Sequence, residues 1–222
     1  MEYKKVDARI IKKLKEIVGE RNVLIEDEEK EPYSHDETLN LVRYMPEVVV
    51  KPKNSNQVKE ILTLADKGRI PVTPRGGGTG LSGGAIPLHG GILLSLERMN
   101  KILEIDTENL MAVLEPGVIN GNLQREAEKY GLFYPVNPAS LDSCTIGGNV
   151  AESAGGANAV KYGITKNYVC GLEVILPTGK ILRAGGKLLK NATNHQLIHL
   201  LLGSEGTLAV ITEITLSLIH IS

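Results

Sequence analysis

The sequence predicts a two-lobed fold, α/β in its first part and α+β in its second, and three observations predict it. Val48-Val49-Val50 and Ile70–Thr73 flank one amphipathic helical segment, the order of a compact β-α-β unit. Leu172–Leu176 and Ile181–Arg183 flank Pro177-Thr178-Gly179-Lys180, a turn signature that predicts a β-hairpin. The segment from Leu208 to Leu218 ends in strict apolar/polar alternation, the pattern of a half-buried strand.

Taken in order, Val6, Ile10, Leu14, Ile17 and Val18 recur at helical spacing, and Gly19 suits the position after a helix end. Residues 26–40 are charged and aperiodic, which predicts a surface excursion. After Val48–Val50, Asn54 and Ser55 offer a cap for a helix with Val58, Ile61, Leu62 and Ala65 on one face, closed by Gly68. Ile92–Leu96 is the next strand. Leu110–Glu115 reads as a strand ending at Pro116, and Asn120–Tyr130 as a helix with Leu123, Ala127 and Tyr130 on one face, stopped by Gly131. Asn194–Leu202 is a further helix. The expected organisation is an N-terminal helix and surface segment over 1–44, a first lobe over 45–105 and a second over 106–222.

At 222 residues the chain can bury a real core. Its net charge of −1, with both signs interspersed, leaves no electrostatic footprint for nucleic acid. Trp is absent and Phe133 is the only Phe, so base-stacking platforms are not expected either. Cys144 and Cys170 form no CxxC pair, which suggests reduced cytosolic thiols, with Cys170 a small core residue. No apolar run is long enough to span a bilayer and the charged N-terminus is unlike a secretory signal, so no transmembrane segment is expected. The expected location is cytoplasmic, at most peripheral to the membrane in a larger complex.

The stretch Pro74-Arg75-Gly76-Gly77-Gly78-Thr79-Gly80-Leu81-Ser82-Gly83-Gly84-Ala85 carries the most chemical information. Glycine run together like this costs roughly 0.5–1 kcal/mol per residue to order relative to alanine. Charge-assisted hydrogen bonds from its N–H groups to an anion such as a pyrophosphate could offset that, at about 1.5–3 kcal/mol each. The stretch contains a G-x-G-x-x-G match from Gly78 to Gly83, but Gly84, Pro87, Gly90 and Gly91 forbid the helix that a Rossmann site needs directly after it. Walker A fails as well, for no Gly-Lys-Ser/Thr closes the loop. Two further segments are rich in small residues: 135–156, with Ser140, Ser143, Thr145 and Asn149 as short donors and acceptors, and Gly203-Ser204-Glu205-Gly206-Thr207 before the last long strand. Alone, the first would read as an irregular loop between lobes and the second as a hairpin turn.

Together with Lys161-Tyr162-Gly163, these segments resemble, in order, the FAD-binding domain of the PCMH/vanillyl-alcohol oxidase superfamily. The nearest branch holds glycolate oxidase flavoprotein subunits, D-lactate dehydrogenases and D-2-hydroxyglutarate dehydrogenases. The resemblance runs from about Val48 to Leu218 and implies an α+β fold of two α/β lobes with FAD between them. It implies that Pro74, Arg75, Gly76, Gly77, Gly78, Thr79, Gly80 and Ser82 cradle the pyrophosphate, with Arg75 bracing the loop. It further implies that Pro138, Ala139, Ser140, Thr145, Gly147, Gly148 and Asn149 line the ribityl and flavin region, and that Glu205, Gly206, Val210 and Ile211 sit near the nucleotide end. Many relatives bind FAD covalently through a His at the position of Thr79, and threonine cannot form that bond, so the expected cofactor is non-covalent FAD. Others use a Cys near Ser143; Cys144 lies one residue away, and no thioether is expected.

The function so implied is hydride transfer from a small 2-hydroxy acid to FAD, with an iron–sulfur or other electron-acceptor subunit as partner. Two other readings stand beside it: a flavin-binding module without turnover, and a non-redox FAD enzyme of the alkylglycerone-phosphate synthase type. Relatives carry a second half with a substrate-covering lobe and a His-rich segment, so the resemblance implies a protein truncated before its substrate domain and inactive alone. No residue reads as the catalytic base. His195 and His199 have the i, i+4 spacing of metal ligands, but Gln196 stands where a zincin has Glu and no third ligand is evident, so no metal is expected. Thr193-Asn194-His195-Gln196-Leu197 departs from the family's Thr-Gly-Tyr-Asp/Asn-Leu, and Asn191-Ala192-Thr193 is a glycosylation sequon that a cytosolic protein would not use.

Overall fold

The computed structural model describes residues 3–39, 43–188 and 195–220. Helix α1 (Ala8–Val18) is capped by Asp7, whose side chain accepts the Ile10 N–H at 2.8 Å, and it closes at Gly19 with φ 85°. Strand β1 (Val23–Leu24) and a short helix α2 (Asp27–Lys30) precede β2 (Val48–Val50), α3 (Ser55–Gly68), β3 (Val72–Arg75) and β4 (Ile92–Ser95). Asn54 caps α3 by accepting the Gln57 N–H. The helix absorbs Gly68, and Arg69 takes the left-handed position at φ 51° that a glycine more often fills.

These strands form a sheet in the order β1-β2-β4-β3, in which β2, β4 and β3 run parallel and β1 antiparallel at the edge. The β-α-β expectation needs a correction here. β2 and β3 are not neighbours, because β4 returns between them and pairs with both. Leu14, Val48, Val50, Val58, Ile61, Ile92 and Leu94 are fully enclosed in the core beneath this sheet.

The second sheet is antiparallel in the order β5-β6-β10-β8-β9. Its strands are β5 (Ile102–Asp106), β6 (Met111–Leu114), β8 (Val169–Ile175), β9 (Ile181–Gly185) and β10 (Val210–Ser217). Helices α4 (Asn120–Glu128), α5 (Ile146–Glu152), α6 (Ala159–Tyr162) and α7 (His195–Leu201) fall between these strands, and β7 (Leu132–Phe133) pairs with β11 (Ile219–His220). The β8–β9 hairpin forms as the turn signature requires, with Gly179 at φ 82°. β5, with exposed Leu103 and Glu104, carries no clear alternation and was not expected. Tyr130 lies beyond the end of α4 and is exposed, so the buried face is Leu123 and Ala127 without it. Cys170, expected as a small core residue, is only partly buried, whereas Cys144 is buried.

Strand β10 is buried on both faces rather than half-buried. One face packs into the second core through Ile211, Ile214 and Leu216, a register shift follows Ile211, and the reverse face meets the first lobe. Ile175 and Val210 belong to the first core. Beside them the buried Glu173 joins the lobes: its carboxylate accepts the Ser55 hydroxyl at 2.8 Å from the start of α3, the Thr212 hydroxyl at 2.9 Å, and Arg183 Nη2 at 2.6 Å.

Glu173→Ala leaves the Ser55 and Thr212 hydroxyls without their acceptor and is expected to cost about 1–3 kcal/mol in urea denaturation. Burial raises the Glu173 pKa, but the hydrogen bonds from Ser55, Arg183 and Thr212 outweigh burial and hold it below the usual carboxylate range. Its contribution is therefore complete above about pH 4.3, the unfolded value, and is lost as pH falls through the folded value. The acid limb of the wild-type stability curve should be steeper than that of Glu173→Gln.

Candidate functional site

The parallel sheet places the chemistry. In open parallel sheets the crevice beyond the carboxyl ends of the strands is where ligands bind. Here β3 ends at Arg75, opposite Ser95, and the glycine loop leaves from that end to return as β4, with no helix between. A cleft of about 650 Å³ opens beside it, within the usual range of ligand sites. Its walls are the glycine loop, the segment from Pro138 to Ala154 and the stretch from Glu205 to Ile211.

The first two walls touch. A Cβ on Gly76 would collide with the Thr145 hydroxyl, and one on Gly77 with the Ser143 carbonyl oxygen, so side chains are excluded by close packing of the two segments. Gly78 turns the chain at φ 70° and lies against the Arg75 guanidinium. Arg75 itself is buried, and its guanidinium is held by backbone carbonyls: Nη1 donates to the His35 carbonyl at 2.7 Å and Nη2 to the Pro32 carbonyl at 3.2 Å, with the Tyr33 ring 5.8 Å away. The charged segment 26–40 is thus no mere surface excursion. Its carbonyls supply the seat for the arginine that anchors the loop, and Ser34 and Asp36 are buried within it.

Among the described residues, no N–H group from Gly77 through Gly84 donates to a backbone carbonyl. Consecutive free donors beside left-handed glycines make an anion-binding concavity. This is the property that a diphosphate requires of the loop.

Within the second glycine-rich segment, which taken alone reads as an irregular loop, lies α5. Thr145 caps it by accepting the Gly148 N–H at 3.2 Å, while the N–H groups of Ile146 and Gly147 reach the carbonyls of Val118 and Pro116 at 2.8 Å. Paired glycines argue against a helix by propensity, but contact with Pro116 at Gly147 leaves no room for a side chain and tertiary packing wins. The Asn149 amide is buried and directed to the Cys144 sulfur at 3.6 Å.

On the third wall Glu205 sits at φ 52° with its N–H on the Ala151 carbonyl, and Gly206 at φ 73° packs on Pro74. All of the expected site residues line the cleft except Ser82. The Ser82 hydroxyl donates instead to the Glu152 carboxylate, at 3.0 and 3.1 Å. Glu37, Leu96, Pro116 and Glu152 also line it and were not singled out, and Cys144, weighed only for a thioether, lines it too. Glu37 lies within the segment read as a surface excursion and Glu152 within the second glycine-rich segment, and no local pattern marks either. Arg75 is the only basic side chain among the described lining residues, against the carboxylates of Glu37, Glu152 and Glu205.

Elsewhere, α7 carries His195 and the exposed His199, and the sequon residues Asn191–Thr193 lie outside the described residues. Among the described residues no helix is long and apolar enough to cross a membrane.

Comparison with known proteins agrees with this architecture. A family model described as "FAD binding domain" matches residues 46–185. The chain is 44% identical over 218 residues to a D-lactate dehydrogenase of Anaerostipes hadrus, covering 98% of this chain and 46% of that protein. It is 47% identical over 187 residues to glycolate oxidase subunit GlcD of Bacillus subtilis (strain 168), covering 84% of this chain and 40% of that one. The chain thus spans just under half the length of these curated relatives. Among solved structures, an alkyldihydroxyacetonephosphate synthase superposes with TM-score 0.86 at 24% identity over 99% of this chain and 45% of its own. p-Cresol methylhydroxylase does so with TM-score 0.80 at 24% identity, over 95% and 42%. These two establish the PCMH-type fold.

Gly77→Ala should destabilise the chain by about 1–3 kcal/mol, because the backbone of Ser143 cannot yield as a flexible side chain would. A shift of roughly 2–4 °C in Tm per kcal/mol makes this readable by calorimetry.

Proposed function

The chain belongs to the FAD binding domain family, and on that premise we propose that it is the cofactor-binding part of a flavin-dependent 2-hydroxy-acid dehydrogenase of the glycolate or D-lactate type. The observation that carries this reading is the run of free N–H donors from Gly77 to Leu81 on the wall of a cleft between two lobes. The names of the relatives, D-lactate dehydrogenase and glycolate oxidase subunit, support the substrate class.

In this reading the N–H groups of Gly77, Gly78, Thr79 and Gly80 hold the FAD diphosphate, and Arg75 keeps the loop in shape from behind. Pro138, Ala139, Ser140 and the residues from Thr145 to Asn149 form the wall for the ribityl chain and flavin, and Glu205, Gly206, Val210 and Ile211 that for the nucleotide end. Bound FAD supplies the two-electron acceptor for the hydride of the hydroxy-acid carbon. Thr79 offers no nitrogen for a covalent link, so the cofactor is held reversibly. The described lining residues include no His or Lys to take the hydroxyl proton, and we assign that base to a part of the protein beyond this chain. An iron–sulfur or other electron-acceptor partner belongs to the same proposal.

The test is direct. The purified chain should be yellow or become so with FAD, and FAD at a hundred times its Kd should stabilise it by about 2.7 kcal/mol. Acid precipitation should leave the flavin in the supernatant. A colourless protein without a thermal shift overturns the reading. Bleaching by D-lactate or glycolate is expected from the full-length enzyme and little from this chain alone.

A further inference from the structure

The cleft poses an electrostatic problem for the ligand it is read to hold. The FAD diphosphate is an anion, yet the second half of the glycine loop is flanked by carboxylates. Glu152, at the end of α5, accepts the Ser82 hydroxyl with both oxygens, and its Oε1 lies 3.2 Å from where a Cβ on Gly80 would stand and 3.4 Å from one on Gly84. Glu205 Oε2 lies 2.9 Å from the same point on Gly84. Glu152 thus reaches from the second lobe to the loop of the first, where free N–H donors await an anion.

The groups facing Glu152 from each neighbouring element are Ser82 on the glycine loop, Glu205 on the third wall, and Asp36 on the N-terminal segment, with Glu37 beside it in the cleft lining. None is a cation, and Arg75 is spent on the carbonyls of Pro32 and His35.

We propose that Glu152 is a proton-linked gate on this cleft: FAD seats with the Glu152 carboxyl neutral, and ionised Glu152 opposes it. One proton enters the carboxylate from solvent as the cofactor binds and returns to solvent as it leaves. The neutral acid keeps the hydrogen bond with Ser82 and removes the charge nearest Gly80. Burial already pushes the Glu152 carboxyl up; the Ser82 hydrogen bond opposes this, while Glu205 and Asp36 push it up further. The sign follows: a diphosphate brought near raises that value again, so affinity is greatest below the ionisation of the free cleft and falls above it.

The inference rests on the FAD reading, and the experiment separates the two. The dissociation constant of FAD is measured by flavin fluorescence on the apo chain from about pH 5 to pH 8.5, for wild type, Glu152→Gln and Glu205→Gln. Titration calorimetry of wild type in two buffers of different ionisation enthalpy counts the protons taken up. Wild-type Kd should rise with pH by up to about tenfold per unit. Glu152→Gln should keep the low-pH affinity and lose the slope, and Glu205→Gln should retain the slope with its onset moved to lower pH. Net proton uptake should appear in the calorimetry of the wild type, which needs no variant to fold. A flat wild-type profile, no proton uptake, or an undiminished slope in Glu152→Gln overturns the gate. A slope lost in Glu205→Gln but kept in Glu152→Gln overturns it too. Absence of FAD binding at every pH overturns the cofactor reading instead.

Discussion

A carbonyl oxygen, that of Ser143, occupies the space that any side chain on Gly77 would need, and the cleft depends on that contact. It brings the loop of one lobe against a segment of the other with no side chain between. The Thr145 hydroxyl at Gly76 and the Pro74 ring at Gly206 repeat the arrangement, so all three walls meet through backbone or compact groups. The lobes are then tied behind the cleft by the Glu173 carboxylate. Rigid walls with free donors between them are what reversible recognition of an anion asks of a protein.

This revises the meaning of the glycines. Their conformational cost, taken alone, argues for a ligand that repays it. Part of the cost is instead required by the fold: Gly76 and Gly77 permit the lobes to meet, and Gly78 makes room for Arg75. What remains for a ligand is the hydrogen bonding, since the N–H groups from Gly77 to Gly84 are left without backbone acceptors.

Much of the architecture was legible in the sequence because the signals were local. The Asp7 cap and Gly19 stop of α1, the apolar face of α3 and the turn at Gly179 each sit within a few residues of the element they define. The misreadings come from partners distant along the chain. α5 is a helix despite Gly147 and Gly148 because Pro116 and Val118 receive its first N–H groups. β10 is buried on both faces because another lobe covers its back. Of the candidate site, the named motif residues other than Ser82 converge on the cleft; Glu152 lies within one of those motifs but was not named, and Glu37 enters through folding alone.

The return of β4 between β2 and β3 bears on how the molecule assembles. The central strand of the first sheet is the last of the parallel three to be synthesised, and the glycine loop is the tether that brings it home. Parallel pairing across such a crossover requires ordering the tether before the sheet is complete. The loop therefore serves two timescales. During folding it is a flexible closure whose length and pliancy set how soon the sheet forms, and afterwards it is a fixed lining.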